Sequence, residues 1–311
     1  MLDRRPSFTI LMNKRREFQE SGGGMDLRPY GRAPARRDGR RADELRPVKI
    51  KRFFISHAPG SALMEMGKTH LVATAFYEPG VPPFLRNTGR GWVTGEYGML
   101  PGSTPTRKRR SERFGRIDGR TAEIQRLIGR ALRAVVDLDR LGEQTIWVDA
   151  DVLQADGGTR TAAVTAGFVA LVDCLRKMEK EELLLGWPLL GSVAAVSVGI
   201  LSGECILDLN YAEDAKAKVD MNVVMTASGP CGPPTRDARR GGRLVEIQGT
   251  AEPAYGPYGS PVGAGGPLRD RLWRRSFSQS QLLRLLKLAR KGIAQLTSLQ
   301  YKALGEFPLT R

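Results

Sequence analysis

Short apolar and β-branched runs, bounded by turn residues, recur along the chain from residue 46 to residue 154. This pattern predicts strands joined by hairpins and tight turns. In the last run apolar residues alternate with polar ones, as in a strand with one buried face. The predicted strands are RPVKIKRFFI, SALMEM, THLVATAF, GWVTGEYGML and TIWVDADVLQ.

Three other segments have the three- and four-residue apolar spacing of helices. The first helix is predicted over 121–138, with Thr121 as a possible cap. The second, over 159–178, is apolar enough to be largely buried, and the third runs from Ser278 to about Leu304 with one apolar stripe.

Four further strands are predicted in the second half of the chain: VAAVSVGI, ECILDLNY, VDMNVVMTA and RLVEIQGT. Clusters of strands interrupted by helices, without strict β-α-β alternation, indicate an α+β fold. We therefore expect mixed β-sheets packed against helices, with a hint of a duplicated β-α unit.

The chain as a whole divides into an extension and one domain that carries two insertions. Residues 1–37 are rich in glycine and arginine and predict a disordered basic extension, although Met25 remains an alternative start. Residues 38–311 form the predicted single domain, and Gly/Pro/Arg-rich stretches at about 227–242 and 253–275 predict loop insertions.

The formal net charge of +16 favours a polyanionic partner such as nucleic acid. Most of the excess lies in the extension and the insertions, so it localises an RNA site only weakly. The three cysteines form no C-x-x-C pair, which indicates neither a disulfide framework nor a zinc site and favours the cytoplasm. The two histidines are interpreted as surface or packing residues. The chain shows neither a membrane-spanning run nor a secretory signal, although an organellar transit peptide remains open.

The clearest candidate for chemistry is the strand-to-helix junction at 153–160, with the sequence LQADGGTR. Unpaired amides at the start of a helix attract anions, and glycines allow close approach. Gly158, Thr159 and Arg160 would then bind a phosphate group. The alternative is an ordinary tight turn with a surface arginine.

A second arginine occupies a similar position. Arg120 directly precedes the predicted helix 121–138. If the two helices pack side by side, Arg120 and Arg160 converge on one anion. Otherwise Arg120 is a solvated residue at a helix start.

An acidic segment follows in ILDLNYAEDAKAKVDMNVV. A strand, a short loop and a new strand would bring Asp214 near Asp220, and paired carboxylates suit Mg²⁺. A solvated turn with capping residues is the alternative.

A basic loop at 107–116 contains Arg107 and Arg110 among six cationic residues. Such a loop suits contact with a phosphate backbone, or is simply a solvated face.

The longer strings around these motifs resemble the bacterial ribonuclease PH family. They are DELRPVKI, GWVTGEYGMLP, GRTAEIQRLIGRALRAVVDL, LQADGGTRTA, NYAEDAKAKVDMNVVMT and VEIQGTAE. The resemblance spans about residues 38–252 and resumes in the final helix. It implies the ribonuclease PH-like fold and phosphate-dependent 3′-to-5′ trimming of tRNA precursors and other RNA, with release of nucleoside diphosphates.

The resemblance also implies residue roles. Arg120, Gly158, Thr159 and Arg160 would bind inorganic phosphate, the co-substrate. Asp214 and Asp220 would bind Mg²⁺ and protonate the leaving group.

The implied assembly is a homohexamer, a trimer of dimers, with Arg107 and Arg110 contacting tRNA. Gly102 departs from the family, which usually has a basic residue there. The rival hypothesis is a non-catalytic RNA-binding subunit of an exosome-like ring.

Overall fold

The computed structural model describes residues 36–108, 118–227, 242–251 and 277–305, which form nine strands and five α-helices. The strands are β1 (Val48–Arg52), β2 (Gly60–Met66), β3 (Thr69–Pro79), β4 (Trp92–Met99), β5 (Gln144–Gln154), β6 (Ser192–Leu201), β7 (Glu204–Leu207), β8 (Val219–Ala227) and β9 (Leu244–Ala251). The helices are α1 (Gly119–Arg133), α2 (Leu138–Leu141), α3 (Thr159–Lys180), α4 (Tyr211–Asp214) and α5 (Gln279–Leu304).

The strands form two sheets. The first has the order β1-β2-β3-β5-β4 and the second has the order β7-β6-β8-β9. All neighbouring strands are antiparallel except β4 and β5, which run parallel. The first sheet is therefore mixed and the second is antiparallel.

Helices α1, α3 and α5 lie between the two sheets, because each contacts strands of both. Helix α3 packs on β2, β3 and β5 on one side and on β6 and β8 on the other. Most of its residues are buried, which explains its apolar sequence. The prediction of an α+β fold with mixed sheets packed against helices is confirmed.

Two predicted elements end earlier than their sequence patterns indicated. The first helix ends at Arg133 rather than 138, because Val136 pairs with Leu189 and Asp137 caps the short helix α2. Strand β7 ends at Leu207, because Asp208 adopts a left-handed backbone conformation with φ +55°. Residues 208–210 then lead into α4.

The described chain begins before the predicted start of the domain at residue 38. Arg36 is buried, with 9% of its surface exposed, and it bonds to residues of the second half of the chain. The prediction of a disordered extension otherwise falls on residues 1–35, outside the described residues. Most of the two predicted insertions lies outside them as well.

Four of the five cysteine and histidine residues lie in the described parts of the chain. Cys174 and Cys205 are free thiols, and Cys231 lies outside the described residues. His57 is exposed and His70 is half-buried in β3. None of the helices in the described parts of the chain combines the length and apolarity needed to cross a bilayer.

Candidate active site

The turn between β5 and α3 has the backbone of an anion-binding loop. Gly157 and Gly158 both adopt left-handed conformations, with φ +76° and +67°. Among the described side chains, none caps the helix at Gly158. The first amides of α3 thus lack a competing cap, at the positive end of a long helix.

Side chains on both sides hold this turn. Thr69 accepts a hydrogen bond from the amide of Asp156 at 3.0 Å and donates one to the carbonyl of Gly157 at 2.8 Å. A Cβ at Gly157 would lie 2.7 Å from the carbonyl oxygen of Leu209. The turn is therefore packed directly against the segment that leads to Asp214.

Thr159, the first residue of α3, is oriented by Tyr97 of β4. The Tyr97 hydroxyl donates a 2.8 Å hydrogen bond to Thr159 Oγ1. Burial raises the pKa of Tyr97, so its proton stays in place at neutral pH. Sequence reasoning missed this residue, although a tyrosine on the buried face of a strand requires a polar partner.

Arg120 and Arg160 begin neighbouring helices. The prediction of Thr121 as the cap of α1 is wrong, because Asp118 caps the helix by accepting a 2.7 Å bond from the amide of Thr121. Arg120 is exposed in the first turn. Helices α1 and α3 pack against each other. The positive charges of both arginines act on Tyr97 and on Asp220. Both guanidinium groups therefore lie in the same part of the structure as these two residues.

Arg160 also contacts two residues that sequence reasoning did not assign to the site. Its Nη1 donates to Glu123 of α1 at 3.3 Å and to Gln248 of β9 at 3.2 Å. Gln248 had no distinguishing signal, since it is one polar residue of a predicted strand. These contacts bring α1, α3 and β9 together around Arg160.

The two predicted acidic residues lie together. Asn210 and Glu213 form a capping box that begins α4, and Asp214 ends this helix. Asp220 lies in β8 and shares a hydrogen bond with Asp214. Burial, followed by the negative charge of Asp214, raises the pKa of Asp220 to about 7, against the opposing effect of the arginines.

Two adjacent carboxylates of this kind hold one proton between them or bind a cation. The pair supplies the hard oxygen ligands that suit Mg²⁺, so the residues present fit such an ion. Within the described residues, no group of three or more histidine, cysteine, aspartate or glutamate side chains could hold a metal.

The basic loop is described only up to Lys108. Arg107 is exposed, and the charge of Lys108 helps to lower the pKa of Asp118, after the hydrogen bond from the amide of Thr121. Arg110 lies outside the described residues. At Gly102 a Cβ would meet nothing within 4 Å, so a longer side chain fits there.

Comparison with known proteins gives a consistent result. The profile of the 3′ exoribonuclease family, domain 1, matches residues 44–177, and that of domain 2 matches residues 191–230. Among solved structures, the chain is similar to rice (Oryza sativa) Rrp46, with 19% identity and a TM-score of 0.61 over 86% of this chain and all of that one.

A second similar structure is described as the Archaeoglobus fulgidus exosome with RNA bound to the active site. It has 22% identity and a TM-score of 0.61, over 86% of this chain and 93% of that one. The two sheets and the helices between them therefore define a protein with a ribonuclease PH-like fold. The family profiles together cover more than half of the chain, and the chain belongs to the 3′ exoribonuclease family.

Proposed function

We propose that this protein is a phosphate-dependent 3′-to-5′ exoribonuclease of the bacterial ribonuclease PH type. It trims the 3′ ends of tRNA precursors and other structured RNA in the cytoplasm. The observation that carries the proposal is that the β5–α3 turn packs directly on the segment that leads to Asp214: a Cβ at Gly157 would lie 2.7 Å from Leu209 O, and the amide of Tyr211 donates to Asp156 Oδ1 at 3.3 Å. The charges of Arg120 and Arg160 also act on Asp220, which shares a hydrogen bond with Asp214. Groups suited to phosphate and groups suited to proton transfer thus occupy one site.

In the proposed reaction, inorganic phosphate binds to Arg120, Thr159, Arg160 and the amide of Gly158. A phosphate oxygen attacks the terminal phosphorus of the RNA, and the bond to the preceding 3′ oxygen breaks. The last nucleotide leaves as a nucleoside 5′-diphosphate. Because the nucleophile is already an anion, the site needs positioning and charge neutralisation rather than a strong base.

The departing 3′ oxygen must gain a proton. The Asp214–Asp220 pair is suited to donate it, because the pKa of Asp220 is raised to about 7 and the pair retains a proton near neutrality. The pair holds either this proton or a cation, so Mg²⁺ bound to the same two residues would supply neutralisation of charge on the phosphate oxygens in place of the proton.

The reaction exchanges a phosphodiester for a diphosphate and is therefore expected to be reversible. A nucleoside diphosphate without phosphate should lengthen an RNA 3′ end.

For the assembly we propose a homohexamer, a trimer of dimers, in which Arg107 and Arg110 contact tRNA. Sedimentation of the purified protein measures the oligomer directly.

The first experiment is nucleotide release from a short 3′-extended tRNA with Mg²⁺, with and without inorganic phosphate. Chromatography identifies the product. Nucleoside diphosphates that appear only with phosphate support the proposal. Monophosphates would indicate hydrolysis, and RNA binding without release would favour the rival hypothesis of a non-catalytic ring subunit.

Arg120→Ala tests the phosphate site. Loss of a charged hydrogen bond predicts a rise of roughly ten- to a hundredfold in KM for phosphate. Arg126→Ala is the matched control, since Arg126 is an exposed arginine farther along the same helix. Equal KM values in the two variants would remove Arg120 from the proposed site.

A further inference from the structure

Three arginines from the first described segment are buried, which is unusual for a side chain that keeps its charge. Arg36, Arg40 and Arg46 are each at most 9% exposed. Their acidic partners are Asp208 and Glu213, which are buried as well. These five residues, called the arginine network below, lie beside both halves of the proposed active site.

Arg46 holds the turn that begins α3. Its Nε and Nη2 donate to the two oxygens of Asp208 at 3.0 and 2.7 Å. Its Nη1 donates to the carbonyl of Asp156 at 2.5 Å, and Nη2 approaches the carbonyl of Gly157 at 3.4 Å. One guanidinium group therefore links Asp208 to two successive carbonyls of the turn.

These carbonyl contacts also orient amide groups. A peptide unit is planar, so the carbonyl of Gly157 and the amide N–H of Gly158 lie in one plane and point in opposite directions. Arg46 and Thr69 both hold the Gly157 carbonyl. The N–H of Gly158, proposed to bind phosphate, is directed away from them by the same contacts.

Arg36 holds the helix that ends at Asp214. Its Nε donates to Glu213 Oε1 at 2.6 Å, and Nη2 donates to Glu213 Oε2. The same guanidinium donates to the carbonyls of Leu207 and Asp208 at 2.6 and 2.7 Å. Glu213 directly precedes Asp214, so Arg36 fixes the helix to the chain just before it.

Asp208 connects the two halves of the network. Its carboxylate binds Arg46, while its carbonyl accepts from Arg36 and from Arg40 at 3.1 Å. Its left-handed backbone, with φ +55°, is an uncommon conformation outside glycine that the surrounding bonds maintain. The phosphate turn and the aspartate helix are thus bound to one buried residue.

We propose that Arg46 and Arg36 are positioning residues of the active site, with separate effects on its two halves. Arg46 sets phosphate affinity through the amide of Gly158. Arg36 sets the chemical step through the placement of Asp214. The inference rests on the proposed phosphorolytic function and assigns to this buried segment a role in that reaction.

The test compares Arg46→Lys and Arg36→Lys with Arg52→Lys. Arg52 is the matched control, because its Nε and Nη2 donate to buried Asp173 at 2.8 and 2.5 Å, in a pair that does not contact the site turns. Lysine keeps the charge of each arginine and removes the two-pronged geometry. All three variants are expected to have a lower Tm.

Only the two network variants should change catalysis. Arg46→Lys is expected to raise KM for phosphate about tenfold with little change in kcat, and Arg36→Lys to lower kcat about tenfold with little change in KM. Arg52→Lys should leave both constants unchanged. Network variants with the kinetic constants of Arg52→Lys would overturn the proposal.

Hydrogen exchange and phosphate calorimetry separate this proposal from the proposed function. Arg46→Lys should speed amide exchange at 158–160 and weaken the binding of inorganic phosphate, and Arg36→Lys should speed exchange at 211–215. If the wild-type protein releases no nucleoside diphosphates, the proposed function is wrong, but faster amide exchange and weaker phosphate binding in the variants would still support the positioning roles of Arg46 and Arg36. If amide exchange and phosphate binding are unchanged in the variants, the positioning proposal is wrong.

Thr69→Val provides a milder variant if Arg46→Lys does not fold. It removes the hydroxyl that holds the Gly157 carbonyl at nearly constant volume. It should raise KM for phosphate in the same direction, and an unchanged KM would contradict the role of the carbonyl contacts.

Discussion

Two side chains of α3, Thr159 and Arg160, are proposed to bind phosphate. Residues of other elements orient both of them. Tyr97 of β4 donates to Thr159, while Glu123 of α1 and Gln248 of β9 accept from Arg160. A side chain fixed in advance loses less entropy when a ligand binds. These supporting contacts should therefore affect phosphate affinity.

Tyr97→Phe should weaken phosphate binding without abolishing turnover. The substitution removes one hydroxyl, leaves Thr159 free to rotate, and should raise KM for phosphate about two- to fivefold, with a stability loss of roughly 0.5–1.5 kcal/mol. Steady-state kinetics and chemical denaturation measure the two effects.

The control for this change is Tyr77→Phe, which removes a hydroxyl that donates to Glu181. Tyr77 is half-buried in β3, and Glu181 is the exposed residue that follows the last residue of α3. A KM effect of equal size in both variants would show that the Tyr97–Thr159 contact has no specific role.

Glu123→Gln should have the opposite effect on phosphate. Glutamine keeps an oxygen that can accept from Arg160 and preserve its orientation, but it removes the negative charge that repels an incoming anion. Neutralisation of Glu123 is expected to lower KM for phosphate about two- to fivefold, the range of a partly exposed ion pair. Glu179→Gln is the control, because Glu179 lies at the other end of α3, about 28 Å from Arg160 along the helix. At that distance, salt screens the effect of its charge on the phosphate site. A higher KM in Glu123→Gln would mean that the carboxylate helps to position Arg160.

At the scale of elements, the β5–α3 turn and the segment before α4 are in direct contact. Gly157 makes this contact possible, since it combines a left-handed backbone with no side chain. Thr69 and the arginine network fix the same turn from other sides. The positions of the turn and of α4 are therefore coupled.

Gly157→Ala should impair both stability and activity. The new Cβ would approach Leu209 O to 2.7 Å and Tyr211 N to 2.8 Å, so α4 must move. We expect a stability loss of roughly 1–3 kcal/mol and a lower kcat.

Gly203→Ala provides the comparison, because Gly203 is also left-handed, with φ +88°, but a Cβ there meets nothing within 4 Å. It should lower the Tm and leave the kinetic constants alone. If both alanine variants lost activity to the same degree, backbone strain rather than displacement of α4 would be the cause.

The sequence predicted the elements better than the contacts between them. Apolar spacing located α3 and the strands, since periodicity depends on the residues of one element alone. Apolar spacing missed the end of β7, because the left-handed backbone of Asp208 depends on hydrogen bonds to residues that lie far away in the sequence. Tyr97 and Arg36 were missed for the same reason. The roles of the predicted site residues stay predictions until the variants are measured.

At the scale of the whole molecule, α5 connects its neighbouring helix α3 to the second sheet. Gln300 of this helix is fully buried, and its Nε2 donates to the carbonyl of Thr165 in α3 at 2.9 Å and to that of Val193 in β6 at 3.0 Å. One amide group therefore connects α5, α3 and β6 at the centre of the fold.

Gln300→Leu should destabilise the molecule without directly changing the site. Leucine fills a similar volume and removes Gln300 Oε1, which is buried without a partner among the described residues, but it leaves the Thr165 and Val193 carbonyls without this donor. We expect a net cost of about 1 kcal/mol. Gln295→Leu, an exposed position on the same helix, should stay within about 0.5 kcal/mol of the wild type. Equal free energies of unfolding for the two variants would contradict the structural role of Gln300.

The arginine network also determines when the active site can first form during protein synthesis. Arg36 and its partner Glu213 are 177 positions apart in the sequence. At about 5–20 residues per second, a ribosome needs roughly 10–35 s to synthesise the chain between them. Late in that interval the nascent chain already contains the phosphate turn with Arg46 and Thr69, but it lacks Asp208 and Glu213, the partners of Arg46 and Arg36. A growing chain therefore cannot complete this site before Asp220, which follows the network in the sequence, has been synthesised.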